Sequence, residues 1–154
     1  MTHPLVGKPA PDFSLPNEAG KLVRLSDLLG QTVVLYFYPK AMTPGCTVQA
    51  CGIRDSIDEF KARGAIVLGI SPDPSPRLQK FVDKYDLAFS LLSDEDHSVA
   101  AAYACWGMKK FLRKEYECLL RTTFIIDAHG VVIHVMDKVK TKSHHDDVLA
   151  LLAE

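Results

Sequence analysis

Residues Thr32 to Arg54 read TVVLYFYPKAMTPGCTVQACGIR, and the fold is decided by this stretch. Thr32 to Tyr38 is a continuous apolar run, β-branched at Val33 and Val34 and aromatic at Tyr36, Phe37 and Tyr38, the pattern of a strand covered on both faces. Pro39 stops it. Pro44 and Gly45 make the following segment a turn-rich loop that ends as a helix begins. Cys46 falls in the first turn of that helix, where unpaired backbone N–H groups and the positive end of the helix dipole favour a thiolate, the reactive form of the side chain. Thr43, three residues earlier, is placed for its hydroxyl to donate to the sulfur or to whatever approaches it.

Cys51 lies five residues beyond Cys46. On an ideal helix five residues rise about 7.5 Å and turn about 140°, which separates the two Cα atoms by about 8.7 Å. A disulfide needs roughly 7 Å or less between Cα atoms, so the pair bridges only if the segment unwinds locally. Gly52 supplies a weak point beside the second cysteine, since a glycine within a helix costs about 1 kcal/mol relative to alanine. A mobile pair of this kind suits a catalytic cycle better than a permanent staple.

Outward from this centre, Phe13–Leu15 and Leu22–Leu25 are short segments separated by Pro16, Asn17 and Gly20, which suits a small hairpin ahead of the main sheet. Ser26–Leu29 is expected to be a helical turn closed by Gly30. After Cys46, Ile53, Ile57 and Phe60 recur at helical spacing and face a core, and Gly64 ends that helix. Ala65–Ile70 is a second buried strand, which makes a right-handed βαβ unit with the Cys46 loop at a carboxyl end, where ligands bind. Ser75 and Pro76 read as the cap and first residue of a helix reaching about Tyr85, and Phe89–Leu92 as a strand. Asp94, Glu95 and Asp96 precede a helix from His97 to about Cys105 as a capping arrangement; the run lacks the spacing of a calcium loop. Trp106–Leu120 has poor periodicity and reads as an irregular excursion near the Cys46 loop, with Lys109, Lys110, Arg113 and Lys114 as a possible basic rim. Thr122–Asp127 and Val131–Val135 flank His129-Gly130 as a hairpin, and a last helix starts near Ser143 with Asp146 as its capping-box partner.

The 154 residues suffice for one domain with its own core, and no linker divides them. A hydrophobic share of 47%, a charged share of 24% and a net charge of −1 supply no electrostatic footprint for nucleic acid or an anionic membrane. The first residues lack the basic start and apolar core of a signal peptide, and no run of some eighteen apolar residues occurs, so a cytoplasmic protein is expected. Four cysteines are too few for a disulfide scaffold; composition leaves them reactive, metal-bound or buried.

Pro39, Thr43 and Cys46 reproduce a P-x-x-x-T-x-x-C signature, and the chain here resembles the peroxiredoxins. Cys51 at the fifth position after Cys46 resembles the peroxiredoxin Q or bacterioferritin comigratory protein subgroup, and the likeness runs from KPAPDFSLP through VLGISPD, LLSDEDHSVA and RTTFIID. The resemblance implies an α/β, thioredoxin-like fold with a central mixed sheet flanked by helices and an N-terminal β-hairpin. It implies reduction of hydroperoxides by a peroxidatic Cys46, a resolving Cys51, and an active-site arginine at Arg121 that stabilises thiolate and peroxide. Gln49 departs from the glutamate of many relatives, which bears on any carboxylate contact to that arginine. Thioredoxin is the implied reductant, with glutaredoxin or glutathione as alternatives, and a monomer is the implied state; no cofactor or metal is expected. Cys105 reads as a core residue and Cys118 as exposed, and resolution by either is the exception to test. A zinc module on the four cysteines and a redox sensor are the competing readings; His144-His145 has no further ligand at zinc spacing, and no C-x-x-C motif marks a dithiol oxidoreductase.

Overall fold

The structure, a computed structural model, describes residues 5–111 and 114–152, with 108–111 and 114–118 described as backbone only. In chain order the elements are β1 (Ser14–Pro16), β2 (Leu22–Arg24), a 3-10 turn (Leu25–Leu28), β3 (Thr32–Phe37), α1 (Pro44–Asp55), α2 (Ile57–Ala62), β4 (Ala65–Ser71), α3 (Ser75–Tyr85), β5 (Ser90–Ser93), α4 (Ser98–Ala102), β6 (Trp106–Phe111), β7 (Lys114–Leu119), β8 (Thr122–Ile126), β9 (Val132–Met136) and α5 (His144–Leu152). The main sheet has the order β5-β4-β3-β8-β9. Its first three strands are parallel, while β8 runs antiparallel to β3 and β9 antiparallel to β8, so the sheet is mixed.

The apolar run holds the central position because both of its faces are covered. Val34 and Tyr36 point with Tyr38 into a layer built from α1, α2, α3 and α5, where Ile53, Phe60, Phe81 and Val148 are buried. Val33, Leu35 and Phe37 point the other way, into Phe13, Leu15, Leu25, Val99 and Tyr103 beneath the N-terminal hairpin and α4. Phe37 is fully buried among the rings of Tyr103 and Phe124, and truncating such a side chain to alanine costs about 3–5 kcal/mol. The carboxyl ends of β3 and β4 lie side by side, Phe37 opposite Ile70, and set the loop carrying Cys46 beside the loop that follows Ser71.

Several local readings need correction. In place of an irregular excursion, β6 and β7 form an antiparallel ribbon separate from the main sheet. Its mixed charge hides the strands, because a ribbon outside the main sheet needs no continuous apolar face; the backbone register sets Trp106 opposite Leu119. Of the basic rim, Arg113 and the side chains of Lys109, Lys110 and Lys114 lie outside the described residues. The Cys46 helix does not run unbroken to Gly64: it is interrupted at Ser56 (φ −107°, ψ 9°) and restarts as α2. Pro74, not Ser75, caps α3, because the Ser75 hydroxyl donates to the Asn17 carbonyl at 2.8 Å and ties α3 to the hairpin. At α5 the Ser143 hydroxyl bonds Asp147 at 2.8 Å, and Asp146 instead lies 3.6 Å from His145. The acidic run ahead of α4 does cap it, with the Asp94 carboxylate accepting the N–H groups of Val99 and Ala100.

Candidate active site

Pro39 to Thr43 carries the chain from β3 to α1, and the next βα turn grips it. The Ala41 N–H donates to Asp73 Oδ2 at 2.7 Å, and Arg77 Nη2 donates to the Ala41 carbonyl at 3.0 Å. Asp73, itself buried, also accepts from the Ser71 hydroxyl at 2.8 Å and pairs with Arg77 Nε at 3.1 Å. With Ala41 held on both sides, Met42 adopts φ 64°, a left-handed conformation of order 1–3 kcal/mol in cost that persists only where neighbours fix it.

Thr43 then caps α1 through its backbone, its carbonyl accepting the Thr47 N–H at 2.9 Å. Its hydroxyl donates to the Lys40 carbonyl at 2.8 Å, so the hydrogen is directed along the loop and not at the sulfur as expected. Pro44 fits the first helical position, where no N–H is needed.

Cys46, third in α1, is 1% exposed, and Arg121 Nη2 donates to its Sγ at 3.3 Å. Arg121 immediately precedes β8, which pairs with β3, so sheet register delivers the guanidinium to the start of α1. Arg121 Nη1 donates to Gln49 Oε1 at 2.6 Å: the amide oxygen takes the place of the carboxylate, and the contact to the arginine survives the substitution. Gln49 is fully buried and its Nε2 lies 3.3 Å from His144 Nδ1, while His144 Nε2 lies 2.7 Å from Thr123 Oγ1 on β8. Burial, and next the charge of Arg121, lower the His144 pKa to about 4, so the ring is neutral near pH 7.

Cys51 is half-buried, unbonded and within the same unbroken helix as Cys46. Beside it Gly52 has a second role that spacing did not reveal, since a Cβ there would overlap the imidazole of His145, and the ring or α5 would have to shift. Cys105 is fully buried, and burial pushes its thiol up to about 12, which fits the core reading. The side chain of Cys118 lies outside the described residues. A cleft of about 610 Å³ opens beside the site, lined by Pro39, Leu119, Leu120, Arg121 and Lys138 among others. Among the described residues no group of three His, Cys, Asp or Glu side chains is arranged to hold a metal ion.

The structure thus brings Pro39, Thr43, Cys46 and Arg121 to one end of the sheet and places Cys51 further along α1, less buried than Cys46. Sequence reasoning missed Asp73 and His144. For Asp73 a signal existed, an acidic residue at the carboxyl end of a buried strand; for His144 the partners lie 95 and 21 residues away, and no local pattern marks them.

Comparison with known proteins bears on this arrangement. Residues 6–135 match the model of the AhpC/TSA family. The chain is 54% identical over 148 residues to peroxiredoxin Bcp of Escherichia coli (strain K12), covering 96% of this chain and 95% of that protein. It is 44% identical over 149 residues to peroxiredoxin Bcp of Bacillus subtilis (strain 168), covering 97% and 95%. Among solved structures, peroxiredoxin Q of Xanthomonas campestris superposes with a TM-score of 0.88 at 34% identity, covering 92% of this chain and 89% of that one. The peroxidoxin BcpB of Mycobacterium tuberculosis gives 0.85 at 40% identity, covering 96% of each. Sequence, fold and the arrangement around Cys46 agree, and the chain belongs to the AhpC/TSA family, among its peroxiredoxins of the Bcp and peroxiredoxin Q kind.

Proposed function

We propose that Cys46 is the peroxidatic cysteine of this thiol peroxidase and that Cys51 resolves it within the same chain. The observation that carries the assignment is the 3.3 Å contact from Arg121 Nη2 to Cys46 Sγ at the start of α1. A fixed guanidinium attracts an anionic sulfur and stabilises charge developing on a peroxide oxygen. The Cys46 thiolate attacks one oxygen of the O–O bond, forming an S–O bond as the O–O bond breaks. The other oxygen leaves with the bond's electron pair and takes a proton as water or alcohol, which leaves Cys46 as sulfenic acid. The Cys51 thiol then displaces the sulfenic hydroxyl as water, and a disulfide forms.

Helical geometry makes that last step conformational: about 8.7 Å between Cα atoms exceeds bridging distance, so α1 unwinds between the two cysteines. The disulfide is returned to two thiols by an external dithiol, for which the resemblance supports thioredoxin, with glutaredoxin or glutathione as alternatives. The same resemblance supports a monomer, and the low cysteine count fits a cytoplasmic setting. Hydroperoxides, including the organic ones suggested by the alkyl peroxide reduction activity of the Xanthomonas campestris bacterioferritin comigratory protein, are the substrates.

Thioredoxin-coupled peroxide consumption by the parent, Cys46→Ser and Cys51→Ser tests the reading. Both variants are expected to lose coupled turnover, with Cys51→Ser retaining a single burst of peroxide reduction. Retained turnover in Cys46→Ser would overturn the assignment; in Cys51→Ser it would move resolution to another thiol.

A further inference from the structure

The Cys46 site continues inward as an ordered series of side chains that ends at α5. We infer that His144 is a positioning residue of the peroxidase site, which holds Gln49, and through it Arg121, in place against Cys46. This rests on the reading of Cys46 as the reacting thiol.

Donor and acceptor identities fix the direction of the series. The guanidinium of Arg121 has donors and no acceptor, so the group of Gln49 facing it at 2.6 Å is the amide oxygen. The amide NH2 of Gln49 therefore faces His144 Nδ1 at 3.3 Å, and that nitrogen must present a lone pair. The imidazole proton is left on Nε2, where it donates to Thr123 Oγ1 at 2.7 Å. The histidine proton is thus placed by an arginine that the histidine does not touch. A protonated ring would set two donors against each other at Nδ1, and turning the Gln49 amide over to relieve that clash would set two donors against each other at Arg121.

The surroundings keep the ring neutral and in place. His144 is fully buried, with the Tyr36 ring from β3 centred 5.6 Å away. The charged and titratable groups that act on it are Arg121, Asp147 and His145. Its neighbour His145 packs on Gly52, so α5 contacts α1 at two successive residues, one of them beside Cys51 in sequence. Gln49 reaches Arg121 from α1 and cannot hold a fixed rotamer by that one bond while its NH2 is buried without an acceptor; His144 supplies the acceptor.

Replacement of His144 in the full-length chain tests this, read by the second-order rate with hydrogen peroxide, the iodoacetamide alkylation rate at pH 6 and the melting temperature. His144→Leu removes the acceptor, whereas His144→Asn can place an amide oxygen where Nδ1 stood. His144→Leu is expected to lower both rates about ten-fold, the scale of one lost hydrogen bond in an ordered site. His144→Asn is expected to recover most of that loss although it too gives up the Thr123 bond. Equal rates in parent and His144→Leu, or rates that fall alike in both variants in step with melting temperature, would overturn the inference.

Should His144→Leu fail to fold, nitrogen-15 histidine spectra of the parent decide the matter. Between pH 5 and 8 His144 is expected as the Nε2–H tautomer, and an Nδ1–H tautomer or a titration near pH 6.5 would overturn the proposal. Cys46→Ser run alongside separates the two levels: activity in that variant defeats the reading of Cys46, whereas an inactive Cys46→Ser beside a normal His144→Leu defeats the role of His144 alone.

Discussion

The carboxylate of Asp73, in the loop that follows β4, accepts the backbone N–H of Ala41 at 2.7 Å, and this bond ties the Cys46 loop to the neighbouring βα turn. Asp73→Ala would leave that N–H without its acceptor and deprive Ser71 and Arg77 of a partner as well. Leaving a buried donor unpaired costs about 1–3 kcal/mol. The partly exposed Arg77 pair adds little because solvent screens it. Urea unfolding is expected to report a destabilisation of about 2 kcal/mol, and peroxide reduction is expected to slow because Met42 is no longer held at φ 64°. A variant with parental stability and rate would show that the clamp carries nothing.

Arg121 makes two bonds with two different nitrogens, one to Gln49 and one to Cys46. A lysine has one nitrogen on a flexible stem and cannot hold both partners in a plane. Arg121→Lys, which preserves charge, is expected to lower the rate with peroxide by roughly 10²-fold, the scale of one lost oriented donor. Stopped-flow measurement of the second-order rate decides between orientation and charge, since a rate within a few-fold of the parent would mean that charge alone suffices.

His144 makes stability depend on pH in a stated direction. Its folded pKa is lowered from 6.5 to about 4. Above pH 6.5 neither state binds the proton, and the contribution of this group is constant. As pH falls from 6.5 to about 4, the unfolded chain takes up a proton that the folded one refuses, so stability falls, by on the order of 3 kcal/mol in all. Urea unfolding at pH 7.5, 6 and 5 is expected to show this decline in the parent and a flatter profile in His144→Asn. Parallel profiles would place the pH dependence on other groups.

How legible the molecule was differs by element. β3 could be read because burial on both faces leaves an uninterrupted apolar run, and the start of α1 because Pro44 and Gly45 punctuate it. The β6–β7 ribbon could not, since strands that pair only with each other carry mixed charge and no single apolar face. Nor could the interruption at Ser56, where neither proline nor glycine marks the change. The cysteines and Arg121 were found by pattern, whereas Gln49 with His144 is a pairing across 95 residues that only the packing of α5 on α1 creates. Gly52 shows the same limit: helix propensity reads it as a weak point, and tertiary structure adds that His145 occupies the space a side chain would need.

That second role for Gly52 reverses the sign of an ordinary expectation. Gly→Ala within a helix stabilises by about 1 kcal/mol when nothing else changes. Here the added methyl meets the His145 ring, and overpacking of this kind costs about 1–3 kcal/mol. Gly52→Ala is expected to lower the melting temperature. A more stable variant would show that α5 shifts freely and does not hold α1.

The most direct test of the account maps the disulfides after one equivalent of hydrogen peroxide is added to the fully reduced chain, with far-ultraviolet circular dichroism recorded before and after. Cys46 and Cys51 both lie in α1 as free thiols, with no disulfide between them. The expected result is a bridge between these two residues within one chain, together with a loss of helical signal as the segment between them unwinds. A bridge from Cys46 to Cys105 or Cys118, a bridge between two chains, or a Cys46–Cys51 bridge formed with the helix intact would contradict it.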